Sequence, residues 1–399
     1  MTVSSPRPSS ELKRELGLGG AVVTGLGSIV GTGAFVAIGV AAGRWGDALL
    51  WAIPLAAMVA VFNGMSSAFL AGRFPVAGGT YEYGYQTLNP WLGFSAGWLF
   101  VLAKTASAAT AALGVALYLE VEGPWLPVGA VAAVTAMVLA GLRRSAWLNA
   151  VLVMVSAGAI VWFATSSLVT AGGLGIPDPG WTGNDLLAAV AFLFVAYTGY
   201  GRIATLGEEV KEPEVVIPRA VVITLAVAAA LYMLVEIGGR AVGGPFWGID
   251  AGIVEAGGPL VTAGALAAML GVLLNLILGL SRVWLAMGRR RDMPGALAKL
   301  DHRSEPICAI VLAALPVAAL TLIGDIGLAW SFSAMTVLLY YGITNLAALA
   351  LDRSRATAWL GLGSCVFLSF FVSFGVWITG VALILIGLGW KAVYAKSPS

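Results

Sequence analysis

Four glycines, Gly25, Gly27, Gly31 and Gly33, fall within nine residues of the first long apolar segment. An ordinary membrane-crossing helix does not carry that density, because each interior glycine costs about 1 kcal/mol relative to alanine. In hydrocarbon, a backbone that opens must also find new partners for its N–H and C=O groups. A break at that depth is tolerable only where it lines a cavity or is buried in protein. The freed amides and carbonyls then form a polar site inside an apolar slab. The composition puts the segment in that setting: the chain is 59% hydrophobic and only 11% charged, whereas soluble domains carry about 25% charged residues.

A helix needs about 20 apolar residues to cross a bilayer. Segments of that kind lie near 18–41, 47–71, 91–119, 124–141, 146–170, 184–204, 218–239, 257–286, 306–324, 327–351, 356–372 and 374–391. The last two are divided only by Ser373-Phe374-Gly375. Of the 22 lysines and arginines, all but Arg44, Arg240 and Lys104 fall in the termini and the even-numbered connections. Lysine and arginine favour the cytoplasmic side. The pattern predicts an all-α integral membrane protein of about twelve transmembrane helices, multi-pass in the cell inner (plasma) membrane, with both termini cytoplasmic.

A second interruption is predicted at Val195-Ala196-Tyr197-Thr198-Gly199-Tyr200-Gly201, in the sixth segment. Five segments separate the two breaks, so two units of five would run in opposite directions. Paired interrupted helices at matching positions of inverted halves point to a binding site between them. The expected organisation is a tail over 1–17, a first repeat over 18–170, a second over 184–351, accessory helices over 356–391 and a tail over 392–399.

Other chemistry is poorly supplied. Cys308 and Cys365 lie in apolar segments and make neither a disulfide framework nor a metal spacing. The single histidine, His302, sits in a charged loop. No cleavable leader is expected from the polar residues 1–16. The segments hold almost no carboxylate, Glu236 near an outer end being the exception. An enzyme is therefore not expected, and neither are a cofactor, a metal or a nucleic-acid partner. A sensor lacks its output domain, and a channel lacks a continuous polar stripe. Arg289-Arg290-Arg291 reads as an anchor to anionic lipid headgroups.

Several ordered motifs resemble the amino acid–polyamine–organocation permease family. Gly27-Ser-Ile-Val-Gly31-Thr-Gly33-Ala-Phe35 is similar to that family's first-helix motif. Ala71-Gly-Arg73-Phe-Pro75-Val-Ala-Gly78-Gly79-Thr80-Tyr81 resembles the end of its second helix, and Asn89-Pro90-Trp-Leu-Gly93-Phe94 the start of its third. Glu208-Glu209-Val-Lys211-Glu-Pro213 with Ile217-Pro218-Arg219-Ala220 follows its sixth helix. Ser281-Arg282 and Arg291-Asp292-Met-Pro294 match the end of its eighth. Beyond 310 only hydropathy agrees. The resemblance implies a 5+5 inverted repeat with broken helices 1 and 6, and secondary transport of amino acids or related amines by symport or exchange. Transport of amines, polyamines or cationic amino acids by antiport is the alternative.

On that pattern, the amides of Val30, Gly31, Thr32 and Gly33 would receive a substrate carboxylate, since a helix start offers N–H groups and a positive dipole end. The carbonyls around Ser28, Ile29, Val195 and Ala196 would receive its ammonium. Gly27-x-x-x-Gly31 is equally a helix-packing motif. Tyr197 and Tyr200 flank Gly199 at the second break, where one could cap the pocket or make an interhelical hydrogen bond. Lys104 lies fourteen residues beyond Pro90, about 20 Å along a helix, and an ionisable residue at that depth is a functional hypothesis by default. It could pair with an acidic substrate, carry a coupling proton, or tether a broken helix. Some proton-driven relatives hold a lysine where Ser156 stands, so proton coupling is expected through Lys104, or cation ligation through the Ser156 hydroxyl. Arg202, Glu208 and neighbouring charges would close an inner gate, or form a solvated loop.

Overall fold

The computed structural model describes residues 16–74, 78–141, 146–171, 180–204, 210–244, 247–248, 255–301 and 305–394. Glu208, Lys13, Arg14, His302 and most of both tails lie outside the described residues. Every one of the twelve apolar segments holds a helix or an interrupted pair. In chain order these are α1 (Leu18–Ile29), a π-turn (Gly33–Ala37) leading into α2 (Ile38–Trp45), α3 (Leu49–Arg73), α4 (Thr80–Thr87), α5 (Pro90–Tyr118), α6 (Trp125–Leu139), α7 (Ala146–Ala171) and α8 (Gly183–Tyr197). A 3₁₀ turn (Thr198–Tyr200) joins α8 to α9 (Gly201–Ala204). Then follow α10 (Pro213–Gly243), α11 (Glu255–Arg289), α12 (Ile307–Thr321), α13 (Ile326–Leu351), α14 (Ala356–Ser369) and α15 (Phe374–Tyr394). Among the described residues, eight stretches are long and apolar enough to cross a membrane, and α1, α6, α12 and α14 are shorter apolar helices.

Local chemistry sets several starts. The Asn89 side chain accepts from the amides of Trp91 and Leu92, and Pro90 takes the first helical position of α5, where its missing N–H is harmless. Thr182 and Asp185 form a reciprocal capping box at α8. α5 is rich in alanine, and between Ala103 and Ala116 it is buried almost all round. Small side chains let helices approach closely in lipid, and α5 packs extensively against α11 and α13. Ser107 and Ser333 hydroxyls meet at 2.8 Å across α5 and α13. Asn345 Nδ2 donates to Asn63 Oδ1 at 2.7 Å, joining α13 to α3. Lys104 therefore sits on the most enclosed of the long helices.

Two charged clasps hold the ends of the bundle. On one end, α4 folds back beneath α11. Tyr81 and Tyr85 hydroxyls donate to Asp292 Oδ2 at 2.7 and 2.6 Å, and Lys391 Nζ of α15 lies 2.7 Å from Asp292 Oδ1. Burial and the Asp292 carboxylate raise the Tyr85 phenol well above its ordinary pKa. One member of the basic run Arg289-Arg290-Arg291 is held by the protein itself. Arg290 pairs with Glu82 in a bidentate contact and lies 4.4 Å over the Tyr85 ring. That hydrogen-bonded carboxylate holds the guanidinium above its ordinary range. Asp292 and Lys391 are each less than a tenth exposed, and removing one partner of such a pair costs about 3–5 kcal/mol. Asp292→Ala is accordingly expected to lower the melting temperature sharply in a detergent thermal scan. An unaltered transition would show that the clasp contributes nothing to stability.

At the other end, Asp47 and Arg240 form an ion pair whose side chains are 3% and 4% exposed. By hydropathy Arg240 falls just beyond the apolar segment 218–239. Arg240 instead belongs to α10, which runs on to Gly243. One turn earlier, Glu236 is fully buried and accepts from the Trp247 indole N–H at 3.1 Å.

Candidate functional site

The first break is an interruption of α-helix. α1 ends at Ile29, and Val30 turns extended at φ −76°, ψ 96°. The chain resumes helix as a π-turn beginning at Gly33, with the Ile38 amide reaching Gly33 O. Short π segments inside helices frequently mark functional sites. The second break is milder than expected. α8 tightens into the 3₁₀ turn at Thr198–Tyr200 and then continues as the four-residue α9. The Thr198 hydroxyl donates to Val195 O at 2.8 Å, which satisfies a carbonyl within the turn without unwinding it.

The two breaks meet. A Cβ on Gly199 would overlap Ser28 O and approach Ile29 Cγ1 to 2.7 Å. Glycine is thus required by close approach of one backbone to another. Tyr232 of α10 lies between the same two segments, its hydroxyl 3.0 Å from Ile29 O and 2.8 Å from Ala196 O. Gly33 leaves the room for it, because a Cβ there would overlap that hydroxyl and lie 3.0 Å from Ala196 Cβ. Gly31 faces Val272 of α11 in the same sense. Gly27 accommodates Asn149, whose Nδ2 donates to Val23 O at 2.9 Å.

Ser28, Ile29, Val30, Gly31, Thr32, Gly33, Val195, Ala196 and Gly199 therefore gather in one region, buried but for the partly exposed Ser28 and Gly199. The Val30 amide is already taken, donating to Leu26 O at 2.7 Å. The Thr32 hydroxyl, at the start of the second half-helix, is buried and has no hydrogen-bond partner among the described residues. Lys104 joins the region from α5: its half-buried Nζ lies 3.3 Å from Thr198 Oγ1. Tyr341 of α13 donates to Thr198 O at 3.3 Å. Tyr197 makes an interhelical bond, donating to Ile53 O of α3 at 3.0 Å. Tyr200 is fully buried with its ring 5.3 Å from that of Tyr341.

Two expected members lie apart from this group. Ser156 is buried in α7 and directs its hydroxyl to Leu152 O at 2.7 Å and to Gly264 O of α11 at 3.3 Å. Arg202 is exposed on α9, and Glu208 lies outside the described residues. Tyr232 had no distinguishing mark in the sequence, where it is one phenol midway along an apolar run.

The chain matches the family described as amino acid permease over residues 20–396. It belongs to the amino acid permease family. The permease is 41% identical over 402 residues to an uncharacterized transporter of Mycobacterium tuberculosis, covering 95% of this chain and 90% of that one. It is 25% identical over 342 residues to a branched-chain amino acid permease of Bacillus subtilis, covering 75% and 72%. A vacuolar cationic amino acid transporter of Arabidopsis thaliana is 26% identical over 364 residues, covering 79% of this chain and 59% of the relative. The protein is thus a multi-pass membrane transporter and not an enzyme. The first-break glycines, which carried the resemblance, lie inside the matched region.

Proposed function

We propose that this permease moves amino acids across the cytoplasmic membrane by alternating access. In this reading the chain forms twelve spans, built as inverted repeats over 18–170 and 184–351 with α14 and α15 accessory, and both termini are cytoplasmic. The cargo carboxylate binds the amides of Gly31, Thr32 and Gly33, where a half-helix begins. The cargo ammonium binds carbonyls of Ile29 and Ala196, where half-helices end. Lys104 carries the coupling proton, or meets an acidic cargo side chain.

The observation that carries this reading is the meeting of the two interrupted helices, with Gly199 against Ser28 O and carbonyls of both segments within reach of one hydroxyl. Irregular backbone at membrane depth is characteristic of transporter binding sites. The partnerless Thr32 hydroxyl supports an anion at the start of the second half-helix. Lys104 beside Thr198 weighs against arginine or polyamine cargo, since like charges repel strongly at low dielectric.

The test is thermal stabilisation of the purified protein across the common amino acids and amines. A ligand at one hundred times its Kd stabilises by about 2.7 kcal/mol, a shift readily seen in a melting scan. Stabilisation by one or a few neutral or acidic amino acids is expected. A response confined to polyamines and arginine would favour the cationic alternative, and no response to any compound bearing an amine and a carboxylate would reject the binding site.

A further inference from the structure

We propose that Tyr232 is an internal stand-in for the cargo's ammonium: its hydroxyl closes the cation station while the site is empty and must swing away for an amine to bind. This rests on the reading proposed above. Three of the four carbonyls expected to receive an ammonium already accept hydrogen bonds from the protein itself. Ile29 O and Ala196 O share the Tyr232 hydroxyl, Val195 O accepts from Thr198, and Ser28 O has Gly199 packed close against it. Of these covers, the Tyr232 phenol comes from outside the two broken helices, on α10, so its departure breaks no bond internal to either.

The chemistry of the exchange is unequal. A phenol has a single O–H, so it donates to one of its two carbonyls at a time, or to both weakly. An ammonium has three N–H donors and a full charge, and hydrogen bonds to charged groups are the stronger ones. An amine-bearing cargo gains by replacing the phenol. A cargo without an amine would leave two buried carbonyls unpaired if the phenol left, which carries the full penalty of unsatisfied buried groups. Tyr232 therefore both protects the empty site and discriminates for amines.

The hydroxyl is closely seated, on a side chain that is fully buried. Gly33 provides the hole that admits the hydroxyl. The ring lies 5.0 Å from that of Tyr197, which is held at its far end by Ile53 O. Tyr197 is thus one wall of the space that holds the Tyr232 ring.

The test compares wild type with Tyr232→Phe, which keeps the ring and deletes the hydroxyl. The probes are L-leucine, L-arginine and 4-methylpentanoate, the last being leucine without its amino group. Tyr232→Phe is expected to melt earlier without ligand, and to bind whichever amino acid the wild type binds about tenfold more tightly, the equivalent of about 1.4 kcal/mol. The wild type should not bind 4-methylpentanoate. Equal or weaker amino-acid binding by Tyr232→Phe would overturn the proposal, and so would equal binding of leucine and 4-methylpentanoate by the wild type. Should the variant not fold, fluorotyrosine at position 232 gives an independent reading: its fluorine resonance should move when the amino acid saturates the protein, and a stationary resonance would refute the displacement. Absence of binding by any amino acid or amine, in both proteins, would instead remove the function on which this inference rests.

Discussion

Gly199→Ala is expected to abolish uptake. The added Cβ would overlap Ser28 O, a backbone atom that no rotamer change can move aside. The Ser28 carbonyl carbon at 2.5 Å and Ile29 Cγ1 at 2.7 Å are also too close. Forcing a methyl group into such a seam costs about 1–3 kcal/mol, and here the strain falls on the geometry between two binding segments instead of on a general core. Radiolabelled amino-acid uptake into cells or proteoliposomes should fall to background, with protein still inserted in the membrane. Gly201→Ala is the control on the same stretch, because its Cβ would meet nothing nearer than the Tyr341 hydroxyl at 3.2 Å. If Gly199→Ala transports like wild type, the two breaks do not form one site.

Lys104→Met should reduce uptake by at least about tenfold, equivalent to about 1.4 kcal/mol, and should flatten the dependence of uptake on external pH. Methionine keeps the length and the apolar stem but removes the donor that reaches Thr198 Oγ1 at 3.3 Å. Losing one hydrogen bond costs about 1 kcal/mol, too little to unfold the protein, so expression is expected to persist. Three roles are separated by the outcome. Loss of pH dependence identifies the proton carrier, and loss confined to acidic substrates identifies a charge partner. Unchanged uptake with a lowered melting temperature would leave Lys104 as a tether of the second break, ending its functional assignment.

The breaks were legible because glycine at that density has no use in a continuous lipid-facing helix. Lys104 was legible because a charge deep in an apolar run is conspicuous by type alone. The resemblance supplied the chemistry of the half-helix ends, and the structure brings those same residues together. Gly199 and Gly201 read as an opening in the second break, yet the chain only tightens, and the Thr198 amide and hydroxyl both donate to Val195 O. Glycine permits either conformation, so its spacing does not encode the choice. Tyr232 escaped notice for a different reason. Its importance comes from two carbonyls 203 and 36 residues away in the chain, and a tyrosine within an apolar segment looks the same whether it faces lipid or a binding site. The pairing of Arg290 with Glu82 was equally out of reach of spacing, because the two are 208 residues apart. Ser156, chosen by alignment to a lysine position, turns toward Gly264 O of α11.

The start of the described chain has a practical bearing on how the protein is handled. Leu16 pairs as a short parallel bridge with Val210, and the Lys211 amide donates to Leu16 O at 2.9 Å. That contact fastens the amino-terminal segment to the stretch that follows α9, a few residues downstream of the second break. A truncation beginning after Leu16 would delete the acceptor, and a bulky fusion partner joined directly ahead of it would pull on the same joint. A handle beyond Tyr394, at the other end of the polypeptide, leaves that joint untouched.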